Sequence, residues 1–210
     1  MKARNKFLVN TAASLGILIA APGRFAYGVL LVLELNIILL CVSLFISVLH
    51  TLKLERFVSA FSAILLVFLV VLVKQVLVLV SPAIALALGF TVYFPALSVF
   101  VISTVSDSDT MNRFQVLRAN VLQSLVFSVV MLALFLFRDM FGYGTLTLPA
   151  NGQSGLFEIV LFQFSGIVPW EFWATIPGAL VLCAGILSAF TCVEKKFAII
   201  ERMEAAEYVQ

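Results

Sequence analysis

The sequence predicts an all-α integral membrane protein of six transmembrane helices, arranged as two inverted three-helix repeats with interrupted first and fourth helices. Three observations predict it. The chain is 63% hydrophobic and only 11% charged, against about 25% charged residues in a soluble domain. Apolar runs close to bilayer length alternate with short polar stretches. The basic residues lie mostly on one side once six spans are drawn from a cytoplasmic N-terminus. Of the 13 Lys and Arg, ten fall inside: Lys2, Arg4, Lys6, Lys53, Arg56, Arg113, Arg118, Lys195, Lys196 and Arg202. Only Arg24 and Arg138 fall outside, and Lys74 sits within a span. Such asymmetry orients helices during insertion, so both termini are expected in the cytoplasm.

The first span runs from about Phe7 to Ala21, short beside the roughly 20 residues a bilayer needs. Its basic start and small-residue end resemble a signal peptide. Asn10, Thr11 and Ser14 break the apolar stretch and another span follows at once, so retention is expected. The second span covers about Phe25 to Leu49 and the third about Phe57 to Val80. Ser81-Pro82 reads as a helix start, with serine at the cap and proline at the first helical position. The fourth span continues to about Thr104, interrupted by Gly89 and Pro95, and the polar loop Ser106 to Arg113 follows. The fifth covers about Ala119 to Phe137 and the sixth about Trp173 to Cys192. A helical cytoplasmic tail, 194–210, ends the chain. The whole is one membrane domain, with repeat one over about 7–80 and repeat two over about 82–193. Asp139 to Trp170 is a Gly- and Pro-rich outer connection in which Leu156 to Phe164 is too short to cross, hence interfacial or re-entrant. Trp170 and Trp173 mark the outer interface, where aromatic residues anchor spans.

Weak or broken spans at matching places in two inverted halves point to a functional site near the bilayer centre. Irregular backbone at that depth must be buried in protein or line a wet cavity. The plainer alternative is that Gly89 and Pro95 only kink a packed helix.

Three stretches resemble a known family, the paired six-span subunits of the Rnf and Nqr respiratory complexes. Phe137-Arg-Asp-Met-Phe-Gly-Tyr-Gly-Thr-Leu-Thr-Leu148 is similar to the family's I-R-E-x-L-G-x-G-T-L, with Arg138, Asp139, Gly142, Gly144 and Thr145 at the matching places. Pro82 and Gly89 match its P-x-L-x-x-x-L-G, and Pro177, Gly178, Ala179 and Gly185 its P-G-A-x-x-x-x-G. With its N-terminus inside, the chain resembles the E subunit of Rnf and the D subunit of Nqr. The resemblance implies a multi-pass subunit of a bacterial inner-membrane complex that couples electron transfer to Na⁺ or H⁺ movement. It implies a sister subunit of opposite orientation, and flavins and iron–sulfur clusters on partner subunits. In the family each sister gives two cysteines, one from each broken helix, to a shared [2Fe-2S] cluster. Here the matching positions are about Ser14 and Ser98-Val99. Such clusters are held by thiolates, typically four, so the shared cluster is expected to be absent and this chain to bind no cofactor alone. On this reading the subunit is non-catalytic by itself. A self-contained inverted-repeat transporter or channel for a small solute or ion is the alternative.

Other residues narrow the chemistry. Glu34 and Lys74 lie at similar depth in spans two and three, with Asn36 and Gln75 nearby. An isolated charge at the bilayer centre costs at least about 2.5–3.5 kcal/mol. A Glu34–Lys74 pair is therefore expected, serving either as part of a polar path for a coupling cation or as a structural ion pair. Lys74 could instead reach the interface by its long stem. Arg138 and Asp139 are expected as solvated groups at the outer end of span five, or as caps on the Gly-rich turn. Cys41, Cys183 and Cys192 lack metal-knuckle spacing and read as packing residues. His50, the one histidine, reads as interfacial. There is no Walker loop, GxGxxG or HExxH, and the scattered basic residues form no stripe for nucleic acid.

Overall fold

The structure, a computed structural model, describes residues 16–54, 57–98, 113–150, 156–160 and 170–207. Residues 16–20 are helical and are called α1. The other helices are α2 (Phe25–Thr51), α3 (Val58–Val80), α4 (Pro82–Leu88), α5 (Arg113–Tyr143) and α6 (Ile176–Glu207). Two strands, β1 (Thr145–Pro149) and β2 (Leu156–Val160), form an antiparallel hairpin between α5 and α6. The expectation of an all-α chain is corrected there. Thr-Leu-Thr-Leu alternates with the two-residue period of a strand, and the nearby turn glycine and prolines leave no room for a helix.

Three helices are long and apolar enough to cross a bilayer, Phe25–Leu49, Val58–Val80 and Ser124–Tyr143, the pattern of a membrane protein. Pro82–Ser98 and Ile176–Ala189 are shorter apolar helical segments. Most of the expected first span, the end of the fourth and the loop after it lie outside the described residues.

The core is built around α2, which packs against both α5 and α3. Tyr27, Leu31, Leu35, Ile38, Leu39 and Val42 are buried along it at helical spacing, while Leu33, Ile37, Leu40, Leu44 and Val48 face outward. Gly28 lets α2 and α5 approach, since a Cβ there would run into the buried ring of Phe135. Gly28→Ala is expected to cost about 1–3 kcal/mol by overpacking, seen as a lower melting temperature in detergent. Adding Phe135→Leu should restore part of the loss. Helix α3 buries only Ser62, Leu66 and Val70, one side chain per turn, and leaves the rest of its apolar surface open.

The fourth segment is interrupted, and the structure places the break. Pro82 opens α4, which stops at Gly89 with φ +50°, a backbone conformation that glycine adopts without strain. A 3-10 turn over Gly89–Tyr93 follows, then helical residues 94–98. Pro95 is not a break. It stands in the first turn of the resumed helix, where its missing N–H is not needed. Ser81 sits at the α4 cap position but makes no capping bond, and its hydroxyl is buried without a partner.

The fifth helix runs past the expected end at Phe137 as far as Tyr143, and Gly144, with φ +69°, ends it. Arg138, Asp139 and Gly142 are thus helical. Proline 177 lies in the first turn of α6, and Gly178 packs against the backbone of Phe172 and Trp173 in a 3-10 turn over Glu171–Ala174. The expected tail helix is continuous with α6 through Glu207.

Candidate functional site

Two groups of polar residues stand out, one inside the bundle and one where the ends of α1, α2 and α5 meet the hairpin. Glu34 lies on the inward stripe of α2 and is only 4% exposed, and its Oε1 has no hydrogen-bond partner. The expected pair with Lys74 does not form. The ammonium of Lys74 instead donates to the Tyr93 hydroxyl at 3.0 Å and lies 5.1 Å from the centre of that ring. The break at Gly89 is the physical reason, because it brings Tyr93 of the 3-10 turn against α3. At about 1.5 Å per residue, Glu34 lies about 14 Å along α2 from its N-terminal end, and Gly89–Tyr93 about 10–16 Å from the start of α4. The carboxyl and the interruption share a depth.

Asn36 does not serve Glu34 either. Two residues along a helix is a turn of about 200°, and Asn36 faces α5. Its Nδ2 donates to the Ser128 hydroxyl (2.7 Å) and to the Val32 carbonyl (2.8 Å), while Ser124 donates to its Oδ1 (2.8 Å). Ser128 in turn donates to the Ser124 carbonyl at 2.7 Å. Interhelical bonds of this kind average about 0.6 kcal/mol in membranes and reach about 1.7. Asn36→Leu should therefore cost about 1–2 kcal/mol, read as a small fall in melting temperature. Gln75 is exposed on α3 and takes no part in either group.

The outer group corrects a second expectation. Arg138 and Asp139 are not solvated; both are fully buried. The Arg138 guanidinium donates to four main-chain carbonyls: Leu18 (2.6 Å), Ala21 (3.1 Å), Trp173 (3.2 Å) and Ala174 (2.9 Å). The first two are carbonyls left open at the C-terminal end of α1, where a cation is favoured. Asp139 does the complementary task for α2. Its Oδ2 accepts from the Phe25 N–H (3.2 Å) and from the Thr147 N–H and hydroxyl (both 2.7 Å), and its Oδ1 from the Thr145 hydroxyl (3.1 Å). The Thr147 oxygen accepts from the Ala26 N–H at 3.3 Å. Helix α2 has no Ser, Thr, Asp or Asn before it, only Arg24. Its cap and the negative charge favoured at its N-terminus come from α5 instead.

Adjacent opposite charges on α5 therefore clasp the facing ends of α1 and α2, the hairpin and the turn before α6. Ala174 is wedged in the joint: a Cβ at Gly23 would sit 2.8 Å from its carbonyl oxygen, and one at Gly142 only 2.7 Å from its Cβ. Arg24 pairs with Glu158 of β2 and lies over the Tyr143 ring. Asp139→Asn keeps one acceptor but removes the charge, and should cost about 1–2 kcal/mol. Hydrogen exchange at the Phe25 and Thr147 amides should quicken. Ala174 and Thr147 carried no sequence signal alone, although two threonines six and eight residues after an aspartate, across a turn glycine, would have been one.

The cluster implied by the resemblance does not fit the residues present. Ser98 is buried but offers a hydroxyl, and Ser14 and Val99 lie outside the described residues. Cys183 is buried in α6, Cys41 is half-buried in the C-terminal half of α2 and Cys192 is exposed. By residue count, Cys41 and Cys183 lie at depths about 14 Å apart. Among the described residues no three His, Cys, Asp or Glu come together. No family model matches the chain, and no curated protein matches it.

Proposed function

We propose that the chain is an integral membrane subunit of an Rnf/Nqr-like ion-translocating electron-transport complex, with six spans in two inverted repeats and both termini cytoplasmic. It pairs with a sister six-helix subunit of opposite topology, in the inner membrane of a bacterium, and the complex moves Na⁺ or H⁺. The observation that carries the reading is the outer joint. Arg138, Asp139, Gly142 and Thr145, four of the residues matched to the family's longest motif, meet there, and Gly144 makes the turn beside it. The matched Gly89 makes the break in the fourth segment.

In this role the chain holds no flavin or iron–sulfur group of its own; those reside on partner subunits. Glu34 contributes the carboxyl of a cation path at the depth of the broken segment. Lys74 fixes the break through Tyr93. The second reading, a self-contained transporter or channel, draws on the same coincidence of Glu34 and Gly89, which needs no partner.

Purification of the tagged chain from its native membrane in mild detergent separates the two. Flavin- and iron–sulfur-bearing partners should come with it. A homo-oligomer that transports a solute in liposomes would favour the second reading. Reporter fusions at the C-terminus test the topology, and a periplasmic tail would overturn the six-span arrangement.

A further inference from the structure

We infer that the β1–β2 hairpin is a lipid-contacting element, seated in the outer interfacial layer of the bilayer with one face turned to the hydrocarbon. In an antiparallel pair, residues directly opposite share a face. The register sets Thr145 opposite Val160 and Thr147 opposite Glu158, and on the other face Leu146 opposite Ile159 and Leu148 opposite Phe157. The first face meets the body of the protein through its polar side chains: both threonines bond Asp139, and Glu158 pairs with Arg24, while Val160 at the end of the strand is 59% exposed. The second face is wholly apolar and open. Phe157 is 57% exposed, Ile159 39% and Leu148 38%.

A hairpin against water carries its polar residues outward. This one is reversed, as membrane-facing strands are. Two things argue for lipid rather than protein as the occupant. The hairpin starts one residue after the apolar span that ends at Tyr143, so it lies at the edge of the hydrocarbon. Phe141 at the end of α5, Trp170 and Phe172 at the turn before α6, and Ile176 at the start of α6 are exposed as well, an aromatic-rich apolar surface at the same helix ends, of the kind found at bilayer interfaces. The clasp fixes the hairpin from its polar side, so its apolar side keeps a set orientation. The inference holds for either reading of function.

The test uses the full chain in lipid nanodiscs and again in native membranes. Spin labels go at Phe157→Cys and Ile159→Cys in a background lacking the three native cysteines. Their accessibility to oxygen, which partitions into lipid, is compared with that to a water-soluble nickel chelate. Leu79, 84% exposed on α3, is the lipid reference, and Lys53, exposed in the α2–α3 turn, the aqueous one. The oxygen-to-nickel ratio at 157 and 159 should match Leu79 and stand several-fold above Lys53. Should the cysteine variants misfold, photolabelling of the unmodified chain by a diazirine lipid decides the matter. Label is expected on Leu146, Leu148, Phe157 and Ile159 and not on Thr147 or Glu158. High nickel access overturns the inference in favour of a water-facing hairpin. Low access to both reagents overturns it in favour of cover by a second copy or another subunit. Photolabel on Leu79 with none on the hairpin overturns it as well.

Discussion

Arg138→Ala should lower the melting temperature of the detergent-solubilised chain by about 6 °C or more. The four carbonyls that the guanidinium holds come from two separate places, the end of α1 and the turn before α6. All four lose a charge-assisted donor at once, and the site is fully buried. A buried acceptor left unmet costs about 1–3 kcal/mol, so even partial rescue by entering water leaves a deficit of at least about 3 kcal/mol. For a chain of this size about 2–4 °C accompanies each kcal/mol. Arg138→Lys should recover only part, because an ammonium cannot fork between two sets of carbonyls as a planar guanidinium does. Arg138→Met separates packing from bonding: it fills space, donates nothing and should behave like alanine. A shift below about 2 °C for alanine would mean that the joint is held by other contacts.

On the function proposed above, Glu34→Gln should reduce coupled Na⁺ or H⁺ movement at least about tenfold, a loss of about 1.4 kcal/mol or more in the coupled step, without unfolding the chain. The side chain is buried and one oxygen meets no donor. Lys74, the cation placed to neutralise it by depth, is engaged with Tyr93. On the proposed function, this carboxyl, buried at the depth of the broken segment, takes up and releases the cation. Glutamine has the same shape and can do neither. The check is ion uptake and membrane potential in proteoliposomes of the purified complex, with melting temperature measured alongside. Unchanged coupling with an altered melting temperature would leave Glu34 a structural residue.

The spans that could be read from the sequence are those whose boundaries carry local signals. Helix α2 begins after Pro22-Gly23-Arg24, and α3 lies between Arg56 and the Ser81-Pro82 pair, so a predominantly apolar run between these breaks fixes each. Gly89 was legible for the same local reason. The end of α5 was not. Hydropathy treats Arg138-Asp139 as a pair seeking water, whereas their partners are backbone groups of residues 18, 21, 25, 147, 173 and 174. Nothing local to the pair announces them. The hairpin was hidden differently. Its period-two pattern is present in TLTLP, but it is short and lies in a stretch read for length alone. For Glu34 and Lys74, counting residues supplied depth but not direction around the helix. Which neighbour Lys74 meets depends on where the break puts Tyr93. The polar pocket around Asn36 needed the pairing of α2 with α5, which no single-helix pattern contains.

The bond from Arg138 to Leu18 spans 120 residues of chain, and this orders events at the ribosome. At about 5–20 residues per second, the C-terminal end of α1 waits roughly 6–24 s before its guanidinium partner exists. The carbonyls of Trp173 and Ala174 arrive later still. Residues 18 and 21 are thus fastened only once the chain has been made through Ala174, and truncated nascent chains stopped before α5 should leave them unfastened.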